Sequence, residues 1–374
     1  MTIASSTPCT PPARVSRISE AEAFDRYRAC SIHDLGRQAF EVCLALHPEP
    51  YRTYVVDRNI NYSNFCTARC IFCNFKVDPG DAAGYVLSLD EIGRKIEELI
   101  AIGGTQILMQ GGLVPAEMLP FDWYLDLLRF IKRRFPAIHV HAFSPPEVYA
   151  FHQMFGTSVR DVLLRLQEAG LDTIPGGGAE ILVDRVRDKI SLGKTRTDEY
   201  LLVMREAHRI GMRTSVTMMF GHLETIPERI EHLRRIRDLQ DETGGFTAFI
   251  LWTFQPERTP LGRVRPFPPD YAGLPDGKHL QLADAGEYLR MLALSRIYLD
   301  NIVNIQASWV TQGPKIGQLA LFFGANDMGS VMMEENVVSA AGTTYHLDEA
   351  EIRRLITDAG WEPRKRNCYY ALVE

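Results

Sequence analysis

Thr53-Tyr-Val-Val-Asp-Arg-Asn-Ile-Asn61 is followed, after four intervening residues, by Cys66-Thr-Ala-Arg-Cys70-Ile-Phe-Cys73, and these two stretches decide how the chain is read. The first is dense in β-branched and aromatic residues and predicts a strand. The second places three thiols on the loop that leaves it. In a β/α barrel, loops at the carboxyl ends of strands assemble the site. Thiolates are soft ligands, suited to iron–sulfur clusters, zinc or copper(I). Structural zinc takes four protein ligands, and no fourth cysteine lies nearby in sequence; Cys43, in the helical stretch before, is expected to face its own neighbours. Three ligands leave one metal position open, as chemistry at a metal requires. A zinc site completed by a histidine, or three unligated cysteines, are the plainer alternatives.

Working outward, further β-type runs fall at Thr105–Gln110, Ile138–Phe143, Leu171–Ile174, Arg213–Phe220, Phe246–Phe254, Ile302–Trp309 and, less clearly, Ser330–Glu334. Amphipathic stretches between them predict helices at Leu89–Ile102, Asp122–Phe135, Val159–Ala169, Thr197–Ile210, Ile226–Glu242 and Ala283–Asp300. Strand and helix alternating about eight times predict a (β/α)8 TIM-type barrel. A doubly wound open sheet is the alternative, but no G-x-G-x-x-G follows the first strand. Ser19 to Glu22 is spaced as a capping box and opens one or two lead-in helices before His47. The expected division is a frayed tail over 1–17, helices over 18–50 packing on the barrel, and the barrel with its closing elements over 51–374. The Pro-rich piece Pro256–Pro275 reads as a lid loop, and Leu347–Ala359 as a helix closing base or rim.

Composition narrows the function. Of 374 residues, 46% are hydrophobic and 24% charged, enough apolar surface for a sizeable core. A net charge of −6 argues against nucleic acid as the main ligand. No apolar run is long enough to span a membrane, and the first nineteen residues lack a secretory signal, so the expected location is the cytoplasm and the expected ligand a small molecule. The seven cysteines, with one tight cluster, do not read as a disulfide framework.

Other strand ends carry chemistry too. Gln110-Gly111-Gly112-Leu113 closes the second strand, where paired glycines allow close approach by a ligand or simply a tight turn. Ser144-Pro-Pro-Glu147 ends the third. Pro175-Gly-Gly-Gly-Ala-Glu180 ends the fourth, with Glu180 either a ligand-binding acid or a carboxylate at a helix start. Met219-Phe-Gly-His222-Leu-Glu-Thr225 ends the fifth, and His222 reads as a base or a hydrogen-bonded rim histidine.

Cys-x3-Cys-x-Phe-Cys after the first strand of a barrel resembles the radical S-adenosylmethionine (SAM) superfamily. The resemblance implies that Cys66, Cys70 and Cys73 hold a 4Fe–4S cluster whose fourth iron chelates S-adenosylmethionine. It also implies cofactor contacts for Phe72 (adenine), Gln110, Gly111, Gly112 and Glu180. Asp57–Asn64, Gly104–Gly112, His139–Glu147, Ile174–Arg185 and Gln240–Phe249 are similar, more closely, to the dehypoxanthine futalosine cyclase family of the futalosine route to menaquinone. Asn74 and Thr253 depart from that pattern at positions that are not ligands. The implied substrate is dehypoxanthine futalosine. A 5′-deoxyadenosyl radical removes its ribose C4′ hydrogen, and the carbon radical attacks the benzoate ring. A reducing donor such as flavodoxin or ferredoxin is implied as well. Arg58, Asn61, His141, Ser144 and Gln255 are the substrate-binding candidates, and Ser144 and His222 the catalytic ones. A sister radical enzyme, such as aminofutalosine synthase or a deazaflavin-forming enzyme, and a non-catalytic zinc scaffold are the rival readings.

Overall fold

The computed structural model describes residues 17–264 and 275–373. Two helices lead in, α1 (Glu20–Ala29) and α2 (Ile32–Leu46). The Ser19 hydroxyl accepts from the Glu22 amide, and the Glu22 carboxylate accepts from the Ser19 amide, so the expected capping box forms. The alternation then runs β1 (Tyr51–Val55), β2 (Asp57–Asn61), the short β3 (Arg69–Cys70), α3 (Leu89–Ala101), β4 (Gln106–Gln110), α4 (Phe121–Arg134) and β5 (His139–Ala142). Next come α5 (Pro145–Phe155), α6 (Val159–Ala169), β6 (Thr173–Ile174), α7 (Asp184–Ile190), β7 (Ser191–Leu192), α8 (Thr197–Arg209), β8 (Arg213–Phe220) and α9 (Ile226–Thr243). The remainder is β9 (Phe246–Thr253), α10 (Ala285–Tyr298), β10 (Asn304–Gln306), α11 (Trp309–Gln312), α12 (Pro314–Ala320), β11 (Asp327–Ser330), α13 (Glu349–Asp358) and β12 (Glu362–Lys365).

The main sheet is parallel throughout, in the order β12-β1-β11-β10-β9-β8-β6-β5-β4-β2. β1 and β2 are two halves of the single strand expected over Thr53–Asn61, separated at Val56. β1 pairs with β11 and β12, while β2 pairs with β4. The two ends of the sheet therefore meet in one stretch of chain, and the sheet curls into a barrel of the TIM kind. α1 and α2 pack against α9 and α10 on its outside.

Two departures from the sequence reading bear on the cavity. The eighth barrel strand is Asp327–Ser330, not Ser330–Glu334. Its signal is hidden because Asp327 is a buried charge and Gly329 sits at φ +81°. After Ser330 the chain turns away, with Met332 at φ 46° and its amide donating to the Ser330 hydroxyl (2.7 Å). The second departure is α5, whose Ser144-Pro-Pro-Glu147 is a helix start with proline in the first turn and a capping box. Of the expected lid, residues 265–274 lie outside the described residues, as do residues 1–16 of the expected tail. The stem of the lid is described: the Leu261 amide donates to the Ile71 carbonyl (2.8 Å), tying it to the cysteine loop.

TIM barrels ordinarily fill their interior with branched apolar side chains. Here the inward positions include Asp57, Asn59, Gln106, His141, Ser215, Thr217, Gln306 and Ser330, which wall a cavity of about 420 Å3. Its floor is laid by residues 366–370, of which Arg366, Cys368 and Tyr370 face it. The Arg366 guanidinium donates to both Asp327 oxygens (2.8 and 3.0 Å) and stacks 4.0 Å from the Tyr370 ring centre. The Thr53 hydroxyl adds a third donor to Asp327 at 2.5 Å. Arg366→Met strands a buried carboxylate, so we expect a loss of about 3–5 kcal/mol, seen as a lower urea midpoint; an unchanged midpoint contradicts this role.

Candidate active site

The cysteine loop is held on every side by backbone bonds. The Cys66 amide donates to Val77 O (3.0 Å), Thr67 N to Leu113 O (3.0 Å), and Ile71 N to Ile190 O (2.9 Å). β3, which includes Cys70, pairs antiparallel with β7. The Leu113 amide donates to the Cys66 sulfur (3.3 Å). All three thiols line the cavity mouth. They do not converge there as a finished cage, and no three His, Cys, Asp or Glu among the described residues do. Burial pushes the Cys66 thiol up, and that of Cys70 up to about 12. A metal ion binds thiols in their deprotonated forms, so its arrival would offset the burial that opposes ionisation at Cys66 and Cys70. Cys43 points elsewhere, its sulfur 3.7 Å from Ala325 O.

Behind the mouth sits Glu147, which is buried. One of its oxygens accepts from the Tyr62 hydroxyl (2.6 Å) and the Gly111 amide (3.0 Å), the other from the Ser144 amide (2.8 Å) and hydroxyl (2.6 Å). Burial pushes this carboxyl up, against the four bonds that favour its charge. The ends of β2, β4 and β5 are joined through this one group. Gly111 and Gly112 line the cavity, yet protein dictates their missing side chains. A Cβ on Gly111 would lie 2.3 Å from the Tyr62 ring, and one on Gly112 2.1 Å from Phe65 O and 2.6 Å from Cys66 Cβ.

Across the mouth, Glu180 is buried at φ 37°, a conformation costing a non-glycine residue about 1–3 kcal/mol. One oxygen accepts from Lys194 Nζ (2.8 Å); the other is buried without a hydrogen-bond partner among the described residues. Lys194 Nζ also lies 5.5 Å from the Phe72 ring centre. Arg187 fixes the adjoining glycine loop, donating to Gly178 O (3.2 Å), Ala179 O (2.6 Å) and Thr195 O (2.9 Å). Lys194, Arg187 and Glu147 escaped assignment from sequence, although Glu147 carried a signal in its capping-box spacing.

The cavity brings together Phe72, Gln110, Gly111, Gly112, Glu180, Asn61, His141, Ser144 and Gln255 with the three cysteines. Asn61 donates to Gln110 O (3.3 Å) and Gln255 to Thr253 O (3.0 Å). His141 bonds Thr173 Oγ1 (2.7 Å) through Nδ1, and burial, with His139 and Arg366 nearby, lowers its pKa to about 3, so the ring is neutral. Arg58 and His222 are not part of the wall. On β2 the alternate residues Asp57, Asn59 and Asn61 line the cavity, whereas Arg58 pairs outside with Glu334 (2.7 Å) and Glu98 (2.6 Å). His222 is sealed in its own turn, with Nε2 on Met219 O (3.1 Å) and Nδ1 2.9 Å from Glu224 Oε2. Beside it Glu224 is held well below the usual carboxylate range, since His222 and Arg229 outweigh the burial that opposes them.

Comparison with known proteins places this geometry. Residues 60–236 match the Radical SAM superfamily model, and residues 243–374 match the CofH/MqnC C-terminal region. Over 357 residues the chain is 45% identical to Cyclic dehypoxanthine futalosine synthase of Halalkalibacterium halodurans, spanning 96% of this chain and 92% of that one. The chain is a radical SAM enzyme of the CofH/MqnC family. It is 41% identical to the Streptomyces coelicolor protein of the same name, over 95% of this chain and 85% of the relative. It is also 38% identical, over 96% and 94%, to 5-amino-6-(D-ribitylamino)uracil--L-tyrosine 4-hydroxyphenyl transferase of Methanopyrus kandleri. Among solved structures, methylornithine synthase (PylB) superposes with a TM-score of 0.69 at 18% identity, covering 93% and 94% of the two chains. HydG of Carboxydothermus hydrogenoformans gives 0.70 at 17%, covering 95% and 78%. At these identities the likeness concerns the fold.

Membership in the radical SAM superfamily implies a 4Fe–4S cluster and S-adenosylmethionine, and the residues at the mouth fit both. Three soft donors share one cavity edge, and the second oxygen of Glu180 lacks the hydrogen-bond donor that a cofactor amine or hydroxyl provides. Gly112→Ala forces the cysteine loop off its seat at an overpacking cost of about 1–3 kcal/mol. We expect this variant to keep its circular dichroism but hold less iron and sulfide per chain after anaerobic reconstitution; full iron content contradicts the seating role.

Proposed function

We propose that the protein converts dehypoxanthine futalosine into cyclic dehypoxanthine futalosine, a step in menaquinone biosynthesis. The observation that carries this reading is the 45% identity, over nearly the whole chain, to a synthase of that name. The cavity supports it: about 420 Å3 lies within the usual range for small-molecule sites, roughly 300–1,000 Å3.

In this reading Cys66, Cys70 and Cys73 hold the cluster, leaving one iron open. Phe72, Gln110, Gly111, Gly112 and Glu180 form the cofactor side, joined by Lys194. When bound, the cluster and S-adenosylmethionine supply a 5′-deoxyadenosyl radical, the agent of hydrogen abstraction. The chain's own residues bind, orient and exclude water. Asn61, His141, Ser144 and Gln255 face the substrate, with Ser144 fixed by Glu147. The substrate loses the hydrogen atom at ribose C4′, that carbon bonds to the benzoate ring, and aromaticity returns as a proton passes to a base and an electron passes back to the oxidised electron donor. A low-potential donor such as flavodoxin or ferredoxin supplies the starting electron. Among the described residues no helix is long and apolar enough to cross a membrane. The similarity to archaeal proteins named for a ribitylaminouracil–tyrosine transferase supports a second reading, with those two compounds as substrates.

Anaerobically reconstituted protein, given reductant, S-adenosylmethionine and dehypoxanthine futalosine, should release 5′-deoxyadenosine and a product lighter by two hydrogens. Cys70→Ser should abolish both. Turnover only with 5-amino-6-(D-ribitylamino)uracil and tyrosine would favour the second reading, and turnover with neither would sink both.

A further inference from the structure

The lower half of the cavity, below the cysteine mouth, has more hydrogen-bonding capacity than its own residues use. Asn59 is buried, 6% exposed, and its side chain makes no hydrogen bond among the described residues. Gln106, 3% exposed, gives its amide nitrogen to Asp57 (3.2 Å) and leaves its oxygen unpartnered. His141 Nε2 has only a long contact with Ser215 Oγ at 3.5 Å. Gln306 lines the same level. Buried amides without partners are rare in folded proteins because each forfeits its hydration. Their gathering in one cavity wall points to a ligand that supplies the missing partners.

The charges around that wall say which kind of ligand. Arg366, the cation at the floor, already donates to both oxygens of Asp327, and the Asp57 carboxyl stands beside Gln106. The other cations lining the cavity, Lys76 and Lys194, belong to the cysteine end: Lys76 follows the cysteine loop and Lys194 lies over Phe72. A carboxylate at the floor would meet Asp57 and unpaired amide oxygens, with no free cation among the described residues. Hydroxyl groups, which both donate and accept, match amides, an imidazole and a serine.

We propose that this lower cavity, through Asn59, Gln106, His141, Ser215 and Gln306, binds the hydroxyl-bearing end of the substrate and leaves its carboxylate toward the cysteine mouth. The orientation rests on the dehypoxanthine futalosine reading, whose substrate carries ribose hydroxyls at one end and a benzoate at the other. The hydroxyl specificity does not, because a ribityl chain offers the same groups.

Asn59→Leu tests it, since the substitution keeps shape and removes only an amide without partners. Binding is measured by anaerobic calorimetry on reconstituted enzyme without reductant, so that no turnover intervenes. The variant should keep its cluster absorbance and melt at or above the wild-type temperature, yet bind dehypoxanthine futalosine at least about tenfold more weakly. A 2′-deoxy analogue should lose affinity for the wild type but little more for the variant, whereas an analogue without the benzoate carboxylate should lose equally from both. Asn59→Ala serves the same comparison if the leucine variant loses its cluster. Unchanged substrate affinity in the variant would mean a floor holding water alone, and would overturn the proposal. So would a carboxylate-free analogue whose penalty vanishes in the variant, because the substrate would then lie the other way up. If wild-type protein binds only 5-amino-6-(D-ribitylamino)uracil, the functional reading fails by itself; the floor then stands or falls on whether Asn59→Leu weakens that ligand.

Discussion

One buried carboxylate holds the upper end of the barrel together. Glu147 accepts four hydrogen bonds, from Tyr62 after β2, from Gly111 after β4 and from Ser144 after β5. Each donor would be costly to leave unpaired at that depth, and so would the charge without them. The consequence passes along the chain from Gly111 to Gly112 and Leu113, which seat the cysteine loop through a close backbone approach and a bond to the Cys66 sulfur. The thiols thus acquire their place from a residue that does not touch them.

The opposite side of the mouth follows the same logic with different chemistry. Arg187 divides its donors between carbonyls of the glycine loop and Thr195, Lys194 reaches from the following turn, and Glu180 accepts a left-handed backbone. Phe143 and Met332, also at strand ends beside the cavity, share that positive φ. Backbone strain gathers around the mouth, where binding energy rather than local preference has to fix the geometry.

Much of this was legible in the residues themselves. Hydrophobic periodicity located the long helices and strands to within one or two residues, as in the helix Val159–Ala169 and the strand Arg213–Phe220, because their apolar faces are continuous. The Cys66–Cys73 spacing announced the chemistry. The eighth strand was displaced because Asp327 and Gly329 look like loop residues until Arg366, remote in sequence, pairs with the aspartate. Arg58 and His222 were drawn toward the site by chemistry and excluded by direction: alternation along β2 turns Arg58 outward, and His222 spends both nitrogens inside its own turn. The glycines were recognised as sites of close approach, but what approaches Gly111 and Gly112 in the structure is protein. Arg187 and Lys194 had no local signature, since their partners are backbone carbonyls and a carboxylate that only the fold assembles.

The floor formed by residues 366–370 has a bearing on how the molecule is made. These are the latest-synthesised of all residues that line the cavity, and β12 beside them pairs with β1, the earliest barrel strand. Until they emerge from the ribosome, Asp327 lacks its guanidinium and the barrel stays open below. A nascent chain that already displays all three cysteines therefore has no closed chamber around them until residues 366–370 have joined it.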